Sequence, residues 1–367
     1  MIHPGNDFCQ GGSRLDVPWP AVDSPRMGPR VSFYTLGLLC GLVVAGGWFA
    51  WLGQRDESGD GGAKVLQVAH GLPVSHPVHR GLEEMARLVA EKSGGRMKFQ
   101  LFHSEQLGTE VECLEKAQAG TLAITKVSAG VVGNFVPVYQ AFSLPYLCRD
   151  DAHFWRVLDG EIGDAMLERL AARADGSTSG LHGLAWYDSG SRSFYTKTPV
   201  RGPDDLRGLK IRTMSDPVAM DMVQAMGGSP TPIAWGELYT ALRQGTVDGA
   251  ENNPPSLLSS RHFEICKHYI LDHHSRIPDV LVMSAVVWKD LSPEERGWIT
   301  EAARESGIYQ RKVWAEESDK AIEEVKKAGV NVVEANLGEF AARTESVMKK
   351  HATGAIGELV EKIRAVE

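Results

Sequence analysis

Two short stretches, Gly208-Leu209-Lys210-Ile211-Arg212 and, forty residues later, Asp248-Gly249-Ala250-Glu251-Asn252-Asn253, say most about how this chain is built. The first predicts a short strand that ends in an arginine, and the second predicts a tight turn after another strand. If both strand ends meet in one cleft, a guanidinium and several hydrogen-bonding side chains face the same space. A guanidinium grips a carboxylate through two parallel, charge-assisted hydrogen bonds. The pattern therefore favours a small organic anion as ligand.

Length and charge limit the classes of protein. The chain has 367 residues, which is enough for two globular domains. Its formal net charge of −8, with no basic run, argues against nucleic-acid binding, because phosphate binding needs a basic face. No sequence pattern calls for a cofactor, and no dinucleotide-binding or phosphate-binding loop is present.

An apolar segment over residues 33–52 is preceded by Arg26 and Arg30 and contains no charge. A basic flank before an apolar core predicts an export signal, and its length also suits a membrane anchor. A buried core helix is the remaining alternative. Residues 54–63 predict a glycine-rich linker, so residues 1–63 form a tail, an export or anchor segment and a linker, with Met27 as an alternative start.

At the beginning of the folded part, apolar residues either alternate with polar ones or recur at helical spacing. These patterns predict strands over 64–69, 97–102 and 122–127, with a helix after each of the first two. Thr109 and Glu112 form the T-x-x-E pattern of a capping box at the head of the second helix. A β-α-β-α-β beginning predicts a mostly parallel sheet with helices on both faces.

Further along, the pattern predicts one apolar strand over 280–288 and a long helix from about Pro293 to Val325. The chain as a whole gives two α/β units without a linker between them. We therefore expect an α/β fold in which the chain crosses more than once between two lobes that enclose a ligand cleft. Lobe I is predicted to hold residues 64–190 and about 278–320, and lobe II residues 191–277 and about 321–367.

Three cysteines lie beyond the apolar segment: Cys113, Cys148 and Cys266. Their spacing fits neither a metal site nor a redox pair, so we interpret them as small buried apolar residues, with a Cys113–Cys148 bridge left open. His76 and His79 lie three residues apart and His273 and His274 are adjacent, but no metal-binding pattern surrounds them. No metal site is predicted.

Several motifs then occur in one order at characteristic spacing. They are Gly94-Gly95-Arg96-Met97, Gln106-Leu107-Gly108, Leu144-Pro145-Tyr146, Gly208-Leu209-Lys210-Ile211-Arg212, Gly227-Gly228-Ser229-Pro230-Thr231-Pro232, Glu237-Leu238-Tyr239-Thr240-Ala241-Leu242 and Val247-Asp248-Gly249-Ala250-Glu251-Asn252. Over roughly residues 65–333 the set resembles the extracytoplasmic substrate-binding proteins of tripartite ATP-independent periplasmic (TRAP) transporters, the DctP-type family. The resemblance implies a two-lobed periplasmic-binding-protein-like clamp that closes on its ligand.

The resemblance also implies which residues bind the ligand. The carboxylate-gripping arginine falls on Arg212, and a second arginine falls on Arg192. The covering aromatic falls on Trp235. The other implied ligand-binding residues are Asn252, Glu251, Glu110, Ser215 and His70, where Gly71 and His76 are alternatives to His70. Ser128 stands where some relatives have an acidic residue, which argues against a sialic-acid-like ligand.

Three of these residues also have an interpretation that involves no ligand. Arg212 and Arg192 fit solvated surface cations, and Trp235 fits a core residue at a helix start. If both arginines serve one ligand, one forks the carboxylate and the other adds charge or reaches a hydroxyl group, while Glu251, Asn252 and Glu110 read further hydroxyl groups.

The stretch Leu271-Asp272-His273-His274-Ser275-Arg276-Ile277-Pro278-Asp279, with Asp248 to Asn253, is most similar to family members that bind sugar acids. The resemblance thus implies a periplasmic receptor that delivers a hexuronate or aldonate to the membrane permease subunits, with membrane contact through residues 33–52 if these are not cleaved. A receptor for a C4-dicarboxylate or another organic acid is the first alternative. A secreted enzyme or a sensor for a sugar acid is the second, although no acid–base pair with its orienting groups can be assembled.

Overall fold

The computed structural model describes residues 62–171 and 177–367, and these form two β-sheets with helices packed around them. The predicted export segment at 33–52 lies outside the described residues, as do the rest of residues 1–61. Within the part that the structure describes, no helix is long and apolar enough to cross a membrane.

The elements alternate between strands and helices along most of the chain. The strands are β1 (Lys64–Ala69), β2 (Met97–Phe102), β3 (Ile124–Ser128), β4 (Leu181–Tyr187), β5 (Arg192–Thr196), β6 (Lys210–Thr213), β7 (Ser229–Pro232), β8 (Gly249–Asn252), β9 (His268–Ser275), β10 (Asp279–Ser284) and β11 (Asn331–Glu334). The helices are α1 (Pro77–Lys92), α2 (Glu110–Gln118), α3 (Ala129–Val132), α4 (Asp151–Leu158), α5 (Glu161–Arg169), α6 (Pro217–Ala225), α7 (Leu238–Gln244), α8 (Pro254–Ser259), α9 (Ala285–Lys289), α10 (Pro293–Lys327), α11 (Leu337–His351) and α12 (Gly354–Ala365). Short 3-10 turns lie at Pro137–Ser143, Pro203–Leu206, Trp235–Glu237 and His262–Glu264.

The first sheet has the strand order β2-β1-β3-β10-β4. β1 pairs in parallel with β2 and β3, as the β-α-β-α-β pattern predicts. β10 runs antiparallel between β3 and β4, so the sheet is mixed rather than wholly parallel. The capping box of Thr109 and Glu112 is present and starts α2 as predicted.

The second sheet has the order β11-β9-β5-β8-β6-β7. β6 lies in parallel between β7 and β8, while β5 runs antiparallel to both β8 and β9. The ends of β6 and β8 therefore lie at the same edge of the sheet as the start of β5. This register brings Arg212, Asn252 and Arg192 to one edge.

The chain passes between the sheets three times: after β4, after β9 and along α10. The first passage, residues 188–191, is here called the crossing segment. Gln310 fixes it to α10, because its side-chain amide accepts from the backbone N–H of Asp188 at 2.8 Å and donates to the Asp188 carbonyl at 2.9 Å. Gly81 is needed on the facing helix, because a Cβ there would lie 2.7 Å from the Gln310 side chain. The predicted two-lobed α/β clamp with several crossings is confirmed.

Some of the local predictions are wrong. The apolar stretch 280–288 is a strand only as far as Ser284, whose hydroxyl accepts from the N–H of Val287 and starts α9. The sequence pattern also fails to predict β7 and β9. β7 contains two prolines at an edge of the sheet, and β9 carries charged and imidazole side chains in place of an apolar alternation.

The long helix α10 is predicted well, since Ser292 and Glu295 form a capping box at its start and it runs unbroken to Lys327. It packs against α1, β4, α8 and β11. Cys113, Cys148 and Cys266 are free thiols, so the Cys113–Cys148 bridge is not formed.

Candidate functional site

A cleft lies between the edges of the two sheets, at the carboxyl ends of β1, β3, β6 and β8, where ligands bind in open α/β sheets. Its cavity volume is about 50 Å³. The first sheet and its loops contribute Gly71, Leu72, His76, Glu110, Lys126, Ser128 and Asp279. The crossing segment and the second sheet contribute Ser189, Arg192, Arg212, Met214, Trp235, Asn252, Asn253 and Ser256.

Five of the eight predicted site residues line this cleft: Arg212, Arg192, Asn252, Trp235 and Glu110. The other three lie close to the cleft but point elsewhere. His70 points to His79, with 2.9 Å between Nε2 and Nδ1, and its neighbours Gly71 and Leu72 line the cleft in its place. Ser215 is exposed, and only its carbonyl is engaged, by the Asn134 amide at 2.6 Å.

The third, Glu251, lies beneath the cleft wall rather than in it. Both of its carboxylate oxygens face Arg192, with Nε to Oε2 at 2.5 Å and Nη2 to Oε1 at 2.9 Å. The geometry is the bidentate fork that guanidinium and carboxylate groups favour. Glu251 therefore fixes the plane of the Arg192 guanidinium.

Arg192 is held on further sides as well. Nη2 also donates to the carbonyl of Glu251 at 2.9 Å, and Nη1 donates to Oδ1 of Asn252 at 3.0 Å. A guanidinium has five N–H donors, so these bonds leave one on Nη1 for the cleft. Arg192 is thus a rigid, charge-balanced donor.

His274 completes this ionic network. Its Nε2 lies 3.3 Å from Glu251 Oε2 and its Nδ1 lies 2.8 Å from Asp272 Oδ2. Burial alone would lower the pKa of His274, but Asp272 and Glu251 outweigh it and raise the pKa to about 9. Burial likewise opposes ionisation of Glu251, but Arg192 and His274 lower its pKa to about 2. Both groups are therefore charged at neutral pH.

Arg212 differs from Arg192, because no carboxylate among the described residues holds it. It is 3% exposed, and its Nε donates to the backbone carbonyl of Ile233 at 2.8 Å. Its Nη1 is buried and has no hydrogen-bond partner among the described residues. Burial lowers the pKa of Arg212, since nothing nearby fully balances its charge. The free end of this guanidinium is the donor pair that a ligand carboxylate needs.

Trp235 lies beside that free cation. Its ring centroid is 5.3 Å from the Arg212 guanidinium carbon and 5.0 Å from the His262 ring. The indole is half-buried on the 3-10 turn that follows β7, so part of its face stays open towards the cleft. An aromatic face at this place suits the apolar side of a sugar ring.

Asn252 and Asn253 close the floor of the cleft. Oδ1 of Asn252 accepts from Arg192, from the backbone N–H of Asn253 and from the Asn253 amide, the last two at 2.9 Å. The Asn252 amide nitrogen is therefore left as a donor. Asn253 in turn donates to the carbonyl of Ser189 at 2.8 Å and caps α8, which ties the floor to the crossing segment.

Sequence reasoning missed the charged wall of the first sheet. Lys126 is 4% exposed, and its Nζ lies 3.0 Å from Glu110 Oε1 and 3.2 Å from Asp279 Oδ2. The same Glu110 oxygen accepts from the backbone N–H of Ser128 at 3.3 Å. A lysine inside an apolar strand was the available signal, because such a residue needs buried partners.

Hydrogen bonds join the two sides of the cleft. Glu105 Oε2 accepts from the backbone N–H of Gly236 at 3.0 Å, next to Trp235. The Nε2 of His76 lies 3.2 Å from Ser256 Oγ, and Asn134 reaches the carbonyl of Ser215 as described above. These contacts describe a clamp whose two sides touch around the cleft.

A larger cavity, of about 620 Å³, lies behind the crossing segments against α10. Two arginines line it: Arg276 already pairs with Asp151 and with Asp188 at 3.2 Å, and Arg149 already donates to the backbone carbonyls of Arg364 and Val366. A cation whose donors are engaged has less to gain from an anionic ligand than Arg212. The smaller cleft is therefore the better candidate site, despite its volume.

Comparison with known proteins gives one consistent family. Residues 68–354 match the family described as bacterial extracellular solute-binding protein, family 7. A solute-binding protein of Chromohalobacter salexigens is 37% identical over 263 residues, which covers 71% of this chain and 76% of the relative.

Solved structures agree with this match. A TRAP periplasmic solute-binding protein from Pseudomonas putida F1 with bound D-glucuronate is 37% identical, with a TM-score of 0.79 over 83% of this chain and 97% of the other. One from Bradyrhizobium sp. BTAi1 in complex with D-galacturonate is 39% identical, with a TM-score of 0.78 over 82% of this chain and 99% of the other.

Proposed function

This chain belongs to bacterial extracellular solute-binding protein family 7, and from that premise we propose that its ligand is a hexuronate of the D-glucuronate or D-galacturonate type. It is a solute receptor of a TRAP transporter, and its ligand is a sugar acid. The observation that carries the proposal is the buried guanidinium of Arg212, which faces the cleft without a carboxylate partner. The hexuronates bound by the two structural neighbours support the choice of acid.

The roles of the site residues follow from their contacts. Arg212 forks the ligand carboxylate, and Arg192, held by Glu251, gives one further N–H donor. Asn252 donates its free amide N–H to a hydroxyl group, and Trp235 covers the ring. Glu110 accepts from hydroxyl groups across the cleft. His70 and Glu251 support the site from behind the lining instead of touching the ligand, and the exposed Ser215 offers its carbonyl to Asn134.

Ligand capture is a closure of the clamp. The cavity of about 50 Å³ is far smaller than the roughly 300 Å³ at the lower end of small-molecule sites, so the sides must separate to admit a sugar acid. The carboxylate first meets Arg212 on the second sheet, and the first-sheet wall then closes over the hydroxyl groups. Closure is favoured only by contacts that the closed form alone can make.

The protein is periplasmic, like its relatives. We propose that it then docks on the membrane permease subunits of its transporter and releases the acid there. We also propose that residues 33–52 direct export, and that the segment, if it is retained, tethers the receptor at the inner membrane and raises its local concentration near the permease. The mass of the protein isolated from the periplasm tells a cleaved segment from a retained one.

Calorimetry with D-glucuronate, D-galacturonate, an aldonate and a C4-dicarboxylate, run beside a turnover assay, tests the proposal. We expect stoichiometric binding of a hexuronate and recovery of the unchanged acid. Formation of a product would favour the enzyme alternative. Tightest binding of the C4-dicarboxylate would replace the proposed ligand and leave the receptor function in place.

A further inference from the structure

Lys126, Glu110 and Asp279 form a compact charged group, here called the lysine triad, on the first-sheet wall of the cleft. Lys126 lies near the carboxyl end of β3, and Asp279 at the start of β10 stands opposite Ser128 in the ladder. Since alternate residues of a strand share a face, Lys126, Ser128 and Asp279 point to the same side. Glu110 reaches them from the first turn of α2.

The triad keeps hydrogen-bonding capacity for a ligand. An ammonium group has three N–H donors, and Glu110 and Asp279 use two of them. Both contacts of Glu110 with the wall, from Lys126 and from the Ser128 N–H, end on Oε1. Its Oε2 and the third Lys126 donor have no other partner among the described residues, so one can accept and the other can donate to a ligand. A donor and an acceptor side by side match neighbouring hydroxyl groups of a sugar.

Folding alone does not explain the triad. Burial alone would lower the pKa of Lys126, but Asp279 and Glu110 together raise it, so the ammonium stays charged inside the protein. Apolar residues of similar volume often replace a buried ion pair without loss of stability. All five residues of β3 are buried, so an apolar side chain would suit position 126. A charged side chain at position 126 is therefore useful only because it lines the cleft.

We propose that Lys126 is a specificity-determining residue, which reads hydroxyl groups of the ligand while Arg212 reads its carboxylate. The inference rests on the proposed sugar-acid function and deepens it. It divides recognition between the two sides of the clamp, with the acid group bound by the second sheet and the hydroxyl groups by the first. Acids without hydroxyl groups then bind to only one side.

The test compares D-galacturonate with tetrahydropyran-2-carboxylate, which has the ring and the carboxylate but no hydroxyl groups. The dissociation constant of tetrahydropyran-2-carboxylate divided by that of D-galacturonate measures the contribution of the hydroxyl groups. In the double variant Lys126→Met/Asp279→Asn, one positive and one negative group are removed together, so the net charge of the triad does not change. We expect the ratio to fall by on the order of 10- to 100-fold, the contribution of a hydrogen bond to a charged group.

Affinity for tetrahydropyran-2-carboxylate should change by no more than about threefold, since the Arg212 side is intact. An unchanged ratio, or an equal loss for both ligands, overturns the inference. The single variant Lys126→Arg keeps the charge but moves the donors, so it should lower the same ratio even if the double variant does not fold. A wild-type protein that binds no hexuronate refutes the proposed function itself, and that result is visible before any variant is made.

Discussion

The carboxylate of Glu105 accepts a hydrogen bond from the backbone N–H of Gly236 at 3.0 Å, and so joins the loop after β2 to the turn that carries Trp235. Ser104 and Glu105 both have positive φ, at 51° and 58°, a strained conformation for residues with side chains. The loop is bent to bring this carboxylate across the cleft. The contact acts as a latch that exists only while the two sides are close.

Removing the latch should weaken ligand binding without removing any ligand contact. For Glu105→Ala we expect a loss of about 0.5–1.5 kcal/mol in the binding free energy of D-galacturonate, the usual contribution of one hydrogen bond. Gly236→Ala should act in the same direction, because its Cβ would lie 2.4 Å from Glu105 Oε2. Calorimetry measures both, with the exposed Glu115→Ala as control. Wild-type affinity in Glu105→Ala would refute the latch.

Loss of the Arg212 guanidinium should have a much larger effect. We expect Arg212→Ala to weaken binding of every carboxylate ligand by about 2–5 kcal/mol, since the ligand anion is then desolvated without a partner. The fold should tolerate the change, because an unbalanced buried charge is removed with the side chain. The exposed Arg207→Ala, which lies before the start of β6, is the matched control. Undiminished binding by Arg212→Ala contradicts the assigned role.

His274 predicts a pH dependence of stability. Its folded pKa of about 9 lies above the unfolded value of about 6.5, because it sits between Asp272 and Glu251. The stabilisation is therefore complete below about pH 6.5 and is lost as the pH rises through 9. The shift corresponds to on the order of 3 kcal/mol. Chemical denaturation of wild type and His274→Gln at both pH values should show a difference in unfolding free energy that shrinks at the higher pH. A constant difference would argue against a charged His274.

Gln310 should contribute to the stability of the folded protein. In Gln310→Ala the backbone N–H and carbonyl of Asp188 lose their buried partners. We expect a fall of about 2–4 kcal/mol in the free energy of unfolding, from two unsatisfied groups. The exposed Lys312→Ala on the same helix is the control. If both variants melt alike, Gln310 does not hold the crossing segment.

The sequence predicts elements that are determined locally. The capping boxes at Thr109 and Ser292 mark helix starts with side chains a few residues apart, and both are formed. β9 could not be found this way, because Asp272 and His274 contact each other and His274 reaches Glu251 on β8, two strands away in the sheet. The break at Ser284 depends on a hydroxyl cap that competes with a strand pattern of equal strength.

The site residues also differ in this way: some are marked by local motifs, and others depend on residues far away in the sequence. Arg212 and Asn252 stand at strand ends within recognisable motifs, and both reach the cleft. Glu251 alternates with Asn252 along β8, so the two side chains leave the strand on different faces, and Arg192, a residue far away in the sequence, contacts both from the end of the strand. Lys126 inside an apolar strand indicates buried partners, but the sequence does not show which ones, because Asp279 joins it only through the antiparallel pairing of β10 with β3.

The Arg212 guanidinium is oriented by the main-chain carbonyl of Ile233. A carbonyl is present whatever residue occupies that position, so the anchor depends on the path of the backbone rather than on a partner side chain. The other residues that line the cleft can then be substituted while the Arg212 guanidinium keeps its orientation. This makes the scaffold suited to diversification, in nature or in the construction of biosensors, towards acids that share a carboxylate and differ in everything else.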